Sequence, residues 1–235
     1  TSPPRHRPAP RAFALPEPGR PRQRRRAEIR RQRRGAGPCQ ASTGEEPTSE
    51  ARAWVDESGS DHVQDPGTYA LAAAIGRLRD EDEVRRQLQR LRLPGQVKLH
   101  WRDESERRRT SISRAVAGLD LQHLVVVRCG ADLERTERRR RKCLERLLYE
   151  LEAQTVTEVV LESRGGSDDR RDIQMLNALR GQKRLGAAIR LTHVVGRSEP
   201  MLWIPDAVCG AITSARTGTP THQEHLRSKL TLIEI

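Results

Sequence analysis

The sequence predicts an α/β fold in which helices flank a mixed sheet. Apolar strands and amphipathic helices alternate along the chain after an opening pair of strands, and this alternation is typical of a sheet with parallel strands. The runs 124–127 and 159–161 are wholly apolar, as expected of strands that are buried on both faces. We therefore expect an antiparallel hairpin followed by parallel strands.

The hairpin is predicted over 54–58 and 69–76, with a turn at Pro66-Gly67. A helix is predicted over 80–93, because acidic residues suit its first turn and Pro94-Gly95 ends it. The alternating residues 97–101 predict a short strand, and a second helix is predicted over 103–118.

The second half of the chain supplies the other elements. Strands are predicted over 122–129, 157–163 and 188–195, and helices over 132–154, 167–179 and 205–216, with Ser167 as the N-cap of the middle helix. Residues 218–235 are expected to be a loose extension. The predicted organisation is a tail and linker over 1–50, a folded domain over 51–218 and a C-terminal extension over 219–235.

Arginines in the first 34 residues carry most of the net charge. Twelve arginines stand there against Glu17 and Glu28, a balance of +10 within the +12 of the whole chain. This Arg- and Pro-rich composition predicts a disordered basic tail. Such a tail can bind nucleic-acid phosphates without reading sequence, although a solvated tail, or a stretch translated upstream of the true start, has the same composition.

Cysteine spacing and hydropathy exclude several classes of protein. No two of Cys39, Cys129, Cys143 and Cys209 have CxxC spacing, so they predict reduced thiols rather than a zinc site. No apolar run reaches the roughly 18 residues that a membrane helix needs, and no secretory signal is evident at the N-terminus. We expect a cytoplasmic protein without a membrane partner.

Three acids lie where predicted elements end or begin. Asp56 ends the first strand, Glu162 ends the strand of residues 157–163, and Asp206 opens the helix 205–216. Carboxyl ends of parallel strands meet at one edge of a sheet, where gathered carboxylates would repel one another unless they shared a cation. The alternatives are an ordinary turn at Asp56 and a helix-start acid at Asp206.

The sequence resembles the DUF3800 family over about residues 52–218. The resemblance rests on Asp56-Glu57-Ser58-Gly59, on the buried strand that ends in Glu162, and on the helix Pro205-Asp206-Ala207-Val208-Cys209-Gly210-Ala211. This helix is similar to the family pattern Leu-Gln-x-Ala-Asp-x-x-x-Gly-Ala, with Trp203 and Pro205 in place of Gln and Ala. The resemblance implies a ribonuclease H-like fold.

By this resemblance, Asp56, Glu162 and Asp206 are expected to hold Mg²⁺ or Mn²⁺, which prefer oxygen ligands. Two such ions can promote cleavage of a phosphodiester bond. Asp132 and Asp169 are alternatives for the middle acid.

The resemblance also implies that three further residues lie near these acids. Glu57 would flank them, pointing to the opposite face of its strand. His100 is a candidate proton shuttle, although an exposed strand face explains it equally well. For Lys98 the exposed face is the preferred interpretation.

The sequence thus predicts a metal-dependent nuclease that hydrolyses phosphodiester bonds of DNA or RNA. One alternative is a non-catalytic nucleic-acid-binding or accessory protein of a mobile-element or defence system. Another is a hydrolase of a small phosphorylated compound, because a fold does not determine a substrate. The sequence does not predict an oligomeric state.

Overall fold

The structure is a computed structural model that describes residues 51–60, 63–77, 81–130 and 134–235. The predictions for the tail over 1–50 and for Asp132 lie outside these residues.

One mixed sheet of six strands runs through the described chain. Its strands are β1 (Ala51–Gly59), β2 (Thr68–Gly76), β3 (Gln122–Cys129), β4 (Val156–Glu162), β5 (Arg190–Val194) and β6 (Leu230–Glu234). Their order is β5-β4-β1-β2-β3-β6. The neighbours β1, β2 and β3 are antiparallel, whereas β4 is parallel to β1, β5 to β4 and β6 to β3. The predicted mixed sheet with an opening antiparallel hairpin is confirmed.

Helices cover both faces of this sheet. They are α1 (Glu81–Arg90), α2 (Glu106–Gly118), α3 (Thr136–Ala153), α4 (Gly166–Gly181), α5 (Trp203–Arg216) and α6 (Thr221–Leu226). Apolar side chains of α3 and α4 form one core with Ala53 and Val55 of β1, while α1, α2, α5 and α6 form the other core with Trp54. The pleat therefore directs successive β1 side chains to opposite layers.

Alanines on β2 allow α5 to lie close to the sheet. Ala70, Ala72 and Ala74 belong to the same core as α5 and are fully buried. Because these side chains are small, the Sγ of Cys209 approaches the carbonyl oxygens of Asp56 and Ala70 at 3.6 and 3.8 Å. The start of α5 consequently lies beside the end of β1.

The predicted strand over 97–101 is wrong. These residues form a loop that leads into a 3₁₀ turn at Trp101–Asp103. Leu99 and Trp101 are buried, whereas Val97 is 63% exposed. The apolar residues alternate because Leu99 and Trp101 fix a loop to the core. A half-buried strand would show the same alternation.

The predicted loose extension is also wrong, because it contains α6 and β6. β6 pairs with β3 from His123 opposite Leu230 to Val127 opposite Glu234. An edge strand with mostly exposed residues has no continuous apolar run, so its sequence resembles a surface segment. The predicted N-cap of α4 differs too, since Gly165 precedes this helix and Ser167 lies inside it.

Two further observations concern the cysteines and the character of the helices. The described cysteines carry free thiols, with Cys143 and Cys209 buried and Cys129 exposed. In the ranges that the structure describes, no helix combines the length and apolar character needed to span a membrane.

Candidate functional site

Asp56 is a buried acid near the end of β1, on the face covered by α5. Only 8% of it is exposed, and its Oδ1 accepts the backbone N–H of Glu57 at 2.7 Å. Burial raises the pKa of Asp56 well above its usual range, and the charges of Asp206 and Glu162 raise this pKa further. Folding thus brings Asp56 close to two other acids and away from water.

Asp206 approaches from the first turn of α5 and is held by a residue outside that helix. Its Oδ2 accepts the backbone N–H of Trp101 at 2.8 Å. Burial raises the pKa of Asp206, although the Trp101 hydrogen bond and the charges of His100 and Lys98 oppose this rise. The indole of Trp101 lies against Gly210, where a Cβ would overlap the ring. The bond to Asp206 therefore depends on a glycine one turn further along α5.

Glu162 ends β4 and completes the cluster of three acids. It lies next to Asp56, because the preceding residues Leu161 and Val55 are paired in the parallel strands β4 and β1. Its carboxyl group rests against Gly196, where a Cβ would overlap it. The indole N–H of Trp203 donates to the Gly196 carbonyl at 2.8 Å. Trp203 therefore holds the loop that confines Glu162.

The structure places Lys98 differently from its prediction. Its Nζ lies 3.0 Å from Oε1 of Glu162. Burial lowers the pKa of Lys98, but the hydrogen bond to Glu162 and the charges of Asp56 and Asp206 raise it above its usual value. The preferred prediction of an exposed strand face is wrong, because the loop anchored by Leu99 directs Lys98 to the acids.

Glu57, predicted as a catalytic residue, points to the opposite face of β1. Its Oε2 lies 2.6 Å from Nε of Arg140, and its Oε1 lies 3.6 Å from Nε of Arg164. Arg140 is almost fully buried and also pairs with Asp172, with Nη2 and Oδ2 at 2.9 Å. Glu57 is thus committed to an ion-pair network in the layer of α3 and α4.

His100 lies at the rim of the site. Its Nδ1 is 3.1 Å from Oδ2 of Asp103, and its side chain is 36% exposed. His100 lines the same cleft as Asp206. At this position His100 can contact a molecule bound in the cleft. Its hydrogen-bonding partner Asp103 is exposed to solvent.

Of the two alternatives for the middle acid, Asp169 belongs to the start of α4. It accepts the hydroxyl of Ser163 at 2.6 Å and the backbone N–H of Arg164 at 3.1 Å. Glu162 is the candidate that lies beside Asp56.

A cleft of about 820 Å³ opens beside Asp206. A smaller cavity of about 140 Å³ reaches Asp56 and Glu162, and Glu57 lines both. The wall of the cleft carries hydroxyl groups and arginines, including Ser58, Thr213, Ser214, Arg102 and Arg109. Hydroxyl, guanidinium and backbone N–H groups are the donors that contact phosphates in nucleic-acid complexes.

The chemistry of the three acids suits a hard divalent cation. Their donors are all carboxylate oxygens. Burial and the repulsion of the neighbouring acids raise the pKa of Asp56, and a cation would relieve that repulsion. No group of three or more His, Cys, Asp or Glu side chains in the described ranges forms a ready-made metal site, however. One carboxylate oxygen of Glu162 is instead bound to Lys98.

Comparisons with known proteins found distant structural similarity and no matching family. No family model matches the chain, and no curated protein matches it significantly. A chain in the structure of the PCNA:RNase HII complex from Archaeoglobus fulgidus is 13% identical, with a TM-score of 0.48, over 75% of this chain and 87% of that one. A mutant form of Bst-RNase HIII is 16% identical, with a TM-score of 0.44, over 83% of this chain and 62% of that one. Similarity at this level says nothing about the activity of this chain.

The strand order and directions define the class of protein. Three antiparallel strands are followed by β4 and β5, which run parallel to β1, and helices lie on both faces. The chain is an α/β protein whose described part forms a mixed sheet of six strands between two layers of helices.

Proposed function

We propose that the chain is a metal-dependent nuclease that hydrolyses phosphodiester bonds in nucleic acid. One observation carries the proposal: three acids from separate elements lie close together. Asp56 and Glu162 follow the paired residues Val55 and Leu161 of β1 and β4, and Asp206 lies in α5, which packs on β1 and lines the open cleft. Like charges gathered and buried in this way are costly to a fold. Such a cost is expected where the charges serve a function.

In this proposal, Asp56, Glu162 and Asp206 hold Mg²⁺ or Mn²⁺. When bound, a divalent cation supplies Lewis-acid chemistry that activates water and stabilises negative charge on phosphate oxygens. The acids must remain deprotonated to act as ligands, and the Trp101 N–H bond and the Lys98 charge favour the ionised form of Asp206.

The cleft residues would position the substrate. Arg102 is exposed, and Arg109 lies over the Trp101 ring while donating to the carbonyl oxygens of Trp101 and Arg102. Their charges attract a phosphate backbone, and His100 is placed to transfer a proton at the rim. For Glu57 we propose an anchoring role, because its carboxylate is bound to Arg140.

The second candidate function is a nucleic-acid-binding or accessory protein without catalysis. The Lys98–Glu162 ion pair favours it, because this pair already supplies one positive charge to the acids. This candidate predicts polynucleotide binding that is indifferent to divalent ions and survives loss of the acids.

The first prediction tests the nuclease proposal with Asp56→Asn and Asp206→Asn. Each variant should reduce Mn²⁺-dependent cleavage of labelled DNA or RNA by at least about 100-fold, because a neutral amide is a poor ligand for a hard cation. The measurement is the cleavage rate at saturating Mn²⁺, on duplex, single-stranded and hybrid substrates.

Asp82→Asn is the matched control, since it makes the same chemical change on a side chain that is 78% exposed on α1. This variant should cleave as fast as the wild type. Equal cleavage by Asp56→Asn and the wild type would contradict the proposal and indicate a contaminating nuclease.

A further inference from the structure

Lys98 forms an ion pair with Glu162, which is one of the three acids proposed to hold a metal ion. Nζ of Lys98 lies 3.0 Å from Oε1 of Glu162, with the two side chains 30% and 24% exposed. Glu162 lies next to Asp56, because the preceding residues Leu161 and Val55 are paired in the parallel strands β4 and β1. Lys98 therefore brings a positive charge to a site where carboxylates adjoin.

Glu162 has little freedom to serve two cations at once. Gly196 lies against its carboxyl group, and Asp56 occupies the neighbouring position on the adjacent strand β1. An ammonium and a hard metal ion both bind carboxylate lone pairs. A cation that took the oxygens of Glu162 would thus compete with Lys98 for them.

Lys98 is able to leave, because it lies in a loop and its side chain is long and flexible. The loop itself is fixed by the buried Leu99 and by the Trp101 backbone bond to Asp206. Only the aliphatic stem needs to move.

We propose that Lys98 is the resident cation of the carboxylate cluster and that a divalent ion must displace it from Glu162 to bind. This inference rests on the proposed metal site and extends it: Lys98 sets the concentration of divalent ion at which the site fills. Coupling of this kind is reciprocal, so a bound ion weakens the Lys98–Glu162 pair by the same factor.

The second prediction is that Lys98→Met binds Mn²⁺ about tenfold more tightly than the wild type. Lys98→Arg, which retains the charge, should bind Mn²⁺ with nearly wild-type affinity. Binding is measured on the full chain without nucleic acid, from the decrease in the electron paramagnetic resonance signal of free Mn²⁺. Unchanged or weaker binding by Lys98→Met, no Mn²⁺ binding by either protein, or equal tightening in Lys98→Arg would overturn the inference.

Two controls locate the effect. Lys142→Met removes the same charge from α3, where the side chain is 51% exposed and lies 3.9 Å from Glu145, and should leave Mn²⁺ affinity unchanged. Adding Asp56→Asn to Lys98→Met should abolish the gain in affinity. A gain that persists in this double variant, or that also occurs in Lys142→Met, would show binding elsewhere and overturn the inference.

The inference and the nuclease proposal fail separately. Tighter Mn²⁺ binding by Lys98→Met without any cleavage would support the counter-ion role and contradict the nuclease. Cleavage that depends on Asp56, combined with unchanged Mn²⁺ affinity in Lys98→Met, would support the nuclease and overturn the counter-ion role.

Discussion

The carboxylates of Glu162 and Asp206 each depend on a contact that only a glycine allows. The Glu162 carboxyl group lies against Gly196, and Trp101, which donates to Asp206, lies against Gly210. Neither glycine has the positive φ that demands this residue. They are needed for space, because a methyl group at either position would overlap its neighbour.

The third prediction is that Gly196→Ala displaces the Glu162 carboxylate while preserving the fold. The overlapping group is the end of a flexible side chain, so the free energy of unfolding should change by less than about 1 kcal/mol. Mn²⁺ affinity should fall about 10- to 100-fold, as is typical when a group that orients a ligand is lost. Urea unfolding and Mn²⁺ titration measure the two effects.

Gly118→Ala serves as the control, because a Cβ at the end of α2 meets nothing within 4 Å. It should leave Mn²⁺ affinity unchanged. Wild-type affinity in Gly196→Ala would argue against Glu162 as a ligand.

At the scale of elements, a buried charge network joins β1, α3, α4 and β5. Arg140 of α3 bridges Glu57 and Asp172, and Nε2 of His193 lies 3.0 Å from Oδ2 of Asp172. The side chains of Arg140 and Asp172 are only 2% and 3% exposed. The network fixes the end of β1 from the face opposite to Asp56. It thereby helps to determine the position of the Asp56 side chain.

The fourth prediction is that Arg140→Leu lowers the free energy of unfolding by about 3–5 kcal/mol, because it leaves Asp172 buried without its main partner. The double variant Arg140→Leu/Asp172→Leu should be less destabilised than the single one, since no such charge remains at position 172. Urea unfolding of both variants measures the difference. A single variant as stable as the wild type would mean that the network contributes little to the fold.

At the scale of the whole molecule, the charge is divided unevenly along the chain. Residues 1–34 carry +10 of the net +12. The remaining residues are nearly balanced, and many of their arginines pair with acids, as Arg85 does with Glu199 and Arg216 with Asp65. Non-specific affinity for a polyanion should therefore come mainly from the tail.

The fifth prediction tests this division in the full chain, with glutamine at positions Arg24, Arg25, Arg26, Arg30 and Arg31. The variant should bind duplex DNA more weakly at low salt. The slope of log affinity against log salt should become shallower by roughly 0.9 for each lost phosphate contact, and so by up to about 4.5. Fluorescence anisotropy between about 50 and 200 mM salt measures the slope. An unchanged slope would mean that the tail does not contact phosphates.

Sequence alone determined the features of this protein that depend on local periodicity. The hairpin, the strand over 122–129 and the alternation of later strands and helices follow from the spacing of apolar residues, because the pleat and the helical turn impose that spacing within one element. Asp56 and Asp206 could be recognised for the same reason. Asp56 lies near the end of a strand, and Asp206 lies in the first turn of a helix.

Only the tertiary structure decided how residues far apart in sequence meet. It placed Lys98 against Glu162, committed Glu57 to Arg140, and paired β6 with the edge of β3. These contacts depend on loop paths and on the close packing of α5 over the alanines of β2. No pattern within a single element encodes them, because each partner's position is determined by a different part of the chain.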